Sequence, residues 1–400
     1  MKRILASIFC SMVLFSPAVS AAPAGTGEFA ADLYGRLAKQ EKGNFFLSPY
    51  SISSALAMTW AGAAGRTSQE MAQVLRFGKP SSGVHGEFAH MTGALNSLGK
   101  SGAVRLAIAN ALWTQKGIAL KSAFLDLTRK NYGAGLNELD LKNDSEGSRQ
   151  TINRWVEDQT EQKIKDLIPP GALGEGLVLT NAVYFKGLWE SQFSKEDTQE
   201  EPFFLGDGRQ ITSPLMYQKR SFGYFATADL QGLELAYQGG ELSMVILLPR
   251  KTDGLPQLER SLTTKALNGW LSNFARREVI ARIPRFKMTA AFSLADLLAN
   301  MGMLSAFKPC GQPHPSCADF SGMDGLRDLF ISAVLHKAFV EVNEEGTEAA
   351  AATAVVMMRA TAVMAEPLVF RADHPFLFLI RHRASGTILF MGRLADPSVQ

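Results

Sequence analysis

Four groupings in this 400-residue chain have residue types that could do chemistry. Ser97-Leu98-Gly99-Lys100 has the Ser-x-x-Lys spacing in which a lysine activates a serine nucleophile, but no Lys-Thr-Gly partner occurs anywhere in the chain. The run from Ala94 to Ser101 is one residue short of a phosphate-binding loop, because Ala94 stands where the first glycine is required, and it follows a helical stretch rather than a strand. His85 and His90 are five residues apart, which points them away from a common helix face. Cys310 and Cys317 flank His314 in a Pro-rich stretch; three such ligands are a poor metal set, and a disulfide or two free thiols both remain open. There is no Gly-x-Ser-x-Gly elbow and no His-Glu-x-x-His. The reading is that the chain is not an enzyme and has no cofactor or metal.

The elements that would position a function lie near the C-terminus. Residues 334–343 and 376–381 read as strands, and about thirty residues connect them, from Glu344 to Pro375. Ordinary connections are shorter and rich in Gly, Pro, Asn or Ser, whereas residues 347–364 contain neither Pro nor Gly. In isolation the alanines favour a helix. As a strand, alternate residues share a face: Thr347, Ala349, Ala351, Thr353, Val355 and Met357, none charged and the first four small. Such a segment could slide between two strands without burying an unpaired charge. The flanks overturn the helix, and the segment reads as a strand kept out of its sheet.

Those flanks carry a resemblance. Leu335-His336-Lys337-Ala338-Phe339-Val340-Glu341-Val342-Asn343-Glu344-Glu345-Gly346-Thr347-Glu348-Ala349-Ala350, and then Phe370-Arg371-Ala372-Asp373-His374-Pro375-Phe376, closely resemble the serpin hinge and C-terminal signatures. Asn44-Phe45-Phe46-Leu47-Ser48-Pro49-Tyr50-Ser51-Ile52 is similar to the serpin segment beneath the central sheet. Thr180-Asn181-Ala182-Val183-Tyr184-Phe185-Lys186-Gly187-Leu188-Trp189 resembles that sheet's third strand, and Ile388-Leu389-Phe390-Met391-Gly392-Arg393-Leu394 the family's last strand. The likeness covers residues 27–397. It implies an α+β serpin fold with large mixed and antiparallel sheets, eight or nine helices, and an exposed reactive-centre loop over about 344–370.

The resemblance implies a suicide-substrate inhibitor of serine proteases. The loop is cut, an acyl-enzyme forms, and the freed loop inserts into the central sheet and drags the protease along. Fourteen extended residues span roughly 45 Å, and the displaced catalytic geometry is deformed. The hinge would be Glu344, Gly346, Thr347, Ala349 and Ala351. Counting fourteen residues beyond Gly346 puts the reactive bond at Ala360–Thr361, suited to an elastase- or subtilisin-like enzyme. A register one residue shorter gives Arg359–Ala360, suited to a trypsin-like one. Ser48, Ser51, Asn181 and His336 match the serpin shutter under the opening sheet, and Trp189 the place where insertion starts. The alternative is a non-inhibitory serpin, a carrier or chaperone, but those usually have bulky, charged or Pro-containing hinges. Only Lys79 and Lys100 are basic between residues 78 and 104, so no glycosaminoglycan cofactor is expected.

Composition agrees with one large core: 46% hydrophobic and 20% charged, with no linker or repeat. A net charge of +3 gives no reason to expect a nucleic-acid partner. At the N-terminus, Lys2 and Arg3 precede an apolar run over 4–15 and small residues up to Ala21 and Ala22. That pattern predicts a signal peptide over 1–21 and one domain over 22–400, in an exported, bacterial-type member that is secreted or periplasmic. The apolar run is too short to span a membrane. A monomer is expected. Residues 51–63, 67–75 and 152–166 read as helices, the last stopped by Pro169-Pro170; 105–113, 177–185 and 242–248 read as strands.

Overall fold

The computed structural model describes residues 21–78, 81–98, 104–133, 136–310, 317–347 and 368–399. The helices are α1 Thr26–Gln40, α2 Pro49–Trp60, α3 Gly65–Val74, α4 Ser81–Leu98, α5 Ser122–Tyr132, α6 Ser145–Gln159, α7 Leu255–Ser261, α8 Thr264–Ser272, α9 Ala295–Met301 and α10 Ser321–Asp324. Ten helices among the described residues exceed the eight or nine expected. The early strands are β1 Phe45–Leu47, β2 Val104–Gln115, β3 Leu136–Leu139, β4 Leu177–Leu188, β5 Gln199–Phe204, β6 Gln210–Ala226, β7 Leu230–Ala236 and β8 Leu242–Pro249. The later ones are β9 Ala275–Pro284, β10 Phe286–Ser293, β11 Ile331–Val342, β12 Gly346–Thr347, β13 Leu368–Arg371, β14 Phe376–His382 and β15 Ile388–Leu394.

Two sheets result. One is six-stranded, ordered β10-β11-β12-β4-β2-β3; the other runs β1-β15-β14-β8-β7-β6-β9-β13, with β5 added beside β6. In the six-stranded sheet β4 is buried along nearly its whole length, in keeping with a largely apolar sequence interrupted by Thr180, Asn181 and Lys186. Below β12, β4 and β11 pair directly and in parallel, Leu177–Tyr184 against Ile331–Phe339. Helix α2 runs buried beneath this sheet. Ser48 caps it, Pro49 opens it, and small residues such as Ser51, Ser53, Ala55 and Ala57 allow close packing.

Two expectations need correction. Helix α6 spans 145–159, not 152–166. Asp144 caps its start by accepting from the Gly147 N–H at 3.0 Å. It ends before Pro169 because Glu161, Gln162 and Asp166 take positive φ, while the Thr160 hydroxyl accepts from the Ile164 N–H. Ile164 still reaches the small core between α6 and the sheet, which is why its spacing imitated a helix. The long connection from Glu344 is also not wholly outside the sheets. Gly346 and Thr347 already lie between β4 and β11, and Leu368–Arg371 forms β13, parallel to β9.

Candidate functional site

The chain leaves β11 at Val342 and turns at Asn343, whose side-chain oxygen accepts from the Glu345 and Gly346 N–H groups. Gly346 then lies against β4 so closely that a Cβ would collide with the Gly187 carbonyl and stand 2.7 Å from the Leu188 Cα. Its φ of 155° is also costly for any other residue. Thr347 is fully buried, paired with Gly187 on one side and Val342 on the other.

Five side chains hold this position. The Trp189 ring donates to the Asn343 carbonyl at 2.9 Å and stacks on Tyr237, centroids 4.7 Å apart. The Tyr237 hydroxyl meets the Thr347 hydroxyl at 2.8 Å. Glu344, 2% exposed, accepts from Thr198 at 2.7 Å and lies 3.6 Å from Arg285, while Glu345 takes Lys195 at 2.6 Å. Hydrogen bonding to Glu345 raises the Lys195 pKa. Tyr237→Phe would leave the buried Thr347 hydroxyl unpartnered, a cost of about 1–3 kcal/mol. The expected outcome is a lower melting temperature of the uncut protein by scanning calorimetry, and an unchanged one would show the bond carries no weight.

The second cluster lies under the parallel β4/β11 pair. His336 sits opposite Asn181 in register. The Ser48 N–H donates to His336 Nε2 at 3.2 Å, so Nε2 is the bare nitrogen and Nδ1–H donates to the Asn181 oxygen. The Asn181 amide donates to Ser51 Oγ and to Asn110 Oδ1. Separating β4 from β11 must break the His336–Asn181 bond while Asn181 keeps Asn110 on β2. The structure thus gathers Ser48, Ser51, Asn181 and His336 in one place and Trp189, Glu344, Gly346 and Thr347 in another. Ala349, Ala351, Arg359, Ala360 and Thr361 lie outside the described residues.

Burial lowers the His336 pKa from 6.5 to about 3 and that of His85 to about 4. Both are depressed, so between those values and 6.5 the unfolded chain binds more protons and stability falls with falling pH. Each costs about 1.4 kcal/mol per pH unit below 6.5. The melting temperature should therefore drop from pH 7 to pH 5, and His336→Asn should remove part of that dependence, His85 and His382, whose pKa burial also lowers, keeping the rest. A melting temperature flat across this range would contradict the assignment.

Sequence reasoning missed Tyr237, Lys195, Thr198 and Asn110. Asn110 alone left a signal, one amide within the apolar run Ala107-Ile108-Ala109-Asn110-Ala111-Leu112. Cys310 and Cys317, left open above, are joined by a disulfide with Cα atoms 5.3 Å apart. His314 lies outside the described residues.

The loop's two ends emerge near one another. Leu368 pairs with Val279, which stands opposite Arg220, and Arg220 lines a small cavity together with Trp189. One end is therefore at the start of β13 and the other at the Trp189 end of β4.

Comparison with known proteins agrees with this geometry. The family model described as Serpin (serine protease inhibitor) matches residues 24–397. Human (Homo sapiens) leukocyte elastase inhibitor is 44% identical over 381 residues, covering 92% of this chain and 97% of that protein. Mouse (Mus musculus) antithrombin-III is 40% identical over 93% of this chain and 80% of that protein. The crystal structure of Serpin48, described as a highly specific serpin of the insect Tenebrio molitor, superposes with a TM-score of 0.80 at 30% identity. It covers 93% of this chain and 97% of that one.

Proposed function

The chain belongs to the serpin family, and on that footing we propose that it is a suicide-substrate inhibitor of serine proteases. The observation that carries the reading is the hinge itself. Gly346 and Thr347 form the first rung of a strand antiparallel to both β4 and β11, and these two strands are otherwise joined in parallel. The residues that would follow on the inward face, Ala349 and Ala351, are small and uncharged, which favours insertion over a carrier role.

The action is inhibition rather than catalysis. We assign the reactive bond to Ala360–Thr361, with Arg359–Ala360 as the second register, and the partner to an elastase- or subtilisin-like protease before a trypsin-like one. We further propose an exported, bacterial-type monomer acting in the periplasm or outside the cell after removal of residues 1–21, without a glycosaminoglycan cofactor. Helix α4 has no Lys or Arg in its sequence, in keeping with that last point.

Incubation with elastase, subtilisin and trypsin tests the function on a denaturing gel. The expected product is an SDS-stable complex with at least one enzyme, together with a released C-terminal fragment whose mass fixes the bond at Ala360–Thr361. Cleavage by all three with no complex would show the chain to be a substrate only. N-terminal sequencing of exported protein tests the start at residue 22.

A further inference from the structure

A cavity of about 400 Å³ opens among α2, α4, β2, α5, β3 and α6, on the outer side of Asn110. That is the size of small-ligand pockets, which run from about 300 to 1,000 Å³. No Asp, Glu, Lys, Arg or His lines it, in a chain where one residue in five is charged. Its lining instead presents the Ser54 hydroxyl, the amides of Asn96, Asn110, Asn137 and Gln159, and the half-buried ring of Trp155. Tyr50 and Tyr132 also face it, and burial raises both phenol pKa values, so they stay neutral.

Several of these groups have no protein partner. Ser54 is 7% exposed and Asn137 half-buried, whereas Asn96 and Gln159 stand exposed at the rim, and among the described residues nothing hydrogen-bonds the Ser54 hydroxyl or these three amides. An ion entering here would lose hydration without meeting a counter-charge. An apolar ligand would strand the buried Ser54 hydroxyl and displace water from the amides without replacing its hydrogen bonds. A hydroxyl-rich neutral molecule fits, because each hydroxyl both donates and accepts, as these side chains require.

We propose that this cavity binds a neutral polyol of mono- or disaccharide size, and that Asn110 communicates its occupancy to the β4/β11 pair. Asn110 Oδ1 accepts from Ser51 Oγ at 3.1 Å and from the Asn181 amide, whereas its own amide makes only a long bond of 3.3 Å to the Ser51 carbonyl. One amide hydrogen is therefore available to a ligand oxygen. Engaging it polarises the amide and strengthens Oδ1 as an acceptor, which holds Asn181 where it meets His336. A ligand that binds this closed arrangement better than the opened one keeps the sheet closed by mass action.

The binding arm of the test needs no protease. Glycerol, glucose, maltose and trehalose are titrated against the intact protein by saturation-transfer NMR, with sulfate and benzene as charged and apolar probes. Expected are saturable binding of at least one polyol, none of sulfate or benzene, and at least tenfold weaker binding in Asn137→Leu and in Gln159→Leu. Unsaturable signal for all four polyols, or binding unchanged by both variants, overturns the site. So does a melting rise linear in sugar and shared by the variants, which is ordinary solute exclusion. The coupling arm rests on the inhibitory reading: saturating ligand should at least halve the fraction of cleavage events that end in complex. Unchanged partition at saturation overturns the coupling, whereas a protein that inhibits no protease defeats the inhibitory reading and leaves the binding result standing.

Discussion

Thr347→Arg is expected to turn the protein from an inhibitor into a substrate. The Thr347 side chain is fully exposed to neither solvent nor cavity; it is buried between Gly187 and Val342 with its hydroxyl on Tyr237. An arginine there must place a guanidinium where only that phenol is at hand, and an ion taken into a protein interior without a partner costs several kcal/mol. Insertion competes with hydrolysis of the acyl-enzyme, and each ~1.4 kcal/mol added to the insertion barrier shifts that competition tenfold. The complex should fall by about a hundredfold or more while cleavage of the loop continues, and Thr347→Ser should keep the complex. An undiminished SDS-stable band from Thr347→Arg would remove the basis of the mechanism.

The same position shows what the sequence could and could not convey. Small, uncharged residues at alternate positions, and Gly346 before them, mark a segment fit to enter a sheet, and that much was legible. How far it enters is a matter of tertiary contacts. Trp189, Lys195 and Thr198 come from one stretch of chain and Tyr237 from another, and only folding brings them onto Asn343, Glu344, Glu345 and Thr347. Tyr237 shows the limit well. It lies just beyond β7, between Ala236 and Gln238, and nothing local distinguishes a tyrosine that will stack on Trp189 from one that simply packs.

The cluster around His336 was legible through likeness, not through physics. Its members lie in α2's cap, β2, β4 and β11, and no local periodicity links Ser48 to a histidine 288 residues away. What physics adds is the protonation state. A nitrogen that accepts the Ser48 N–H cannot also carry a proton, so the neutral ring is part of the closed arrangement. The misread helix over 152–166 has a different cause: Ile164 supplies the right spacing from a segment that has already left the helix, and positive φ at Glu161 and Gln162 cannot be read from residue type.

Cutting the loop should raise the melting temperature by more than about 10 °C, and chain length explains why the uncut protein does not reach that state. Twenty residues separate Thr347 from Leu368, which is anchored beside β9 near the Trp189 end of β4. Extending β12 by twelve residues would carry the chain roughly 40 Å down the sheet. The eight left over span at most about 27 Å, too short to return to Leu368. The intact loop therefore cannot fill the sheet unless β13 leaves β9, and cleavage removes that constraint. Once free, the segment replaces one parallel ladder, β4 with β11, by two antiparallel ones. The inserted strand satisfies its backbone groups on both edges and buries small inward side chains, which lose little rotamer entropy. A 150–250-residue domain melts about 2–4 °C higher per kcal/mol, and a longer chain less, so the expected rise corresponds to more than about 3 kcal/mol of added stability. Scanning calorimetry of intact and loop-nicked protein side by side measures the difference. Coincident melting curves, with the loop shown by mass spectrometry to be cut, would mean that the segment stays outside and that no strand insertion drives inhibition.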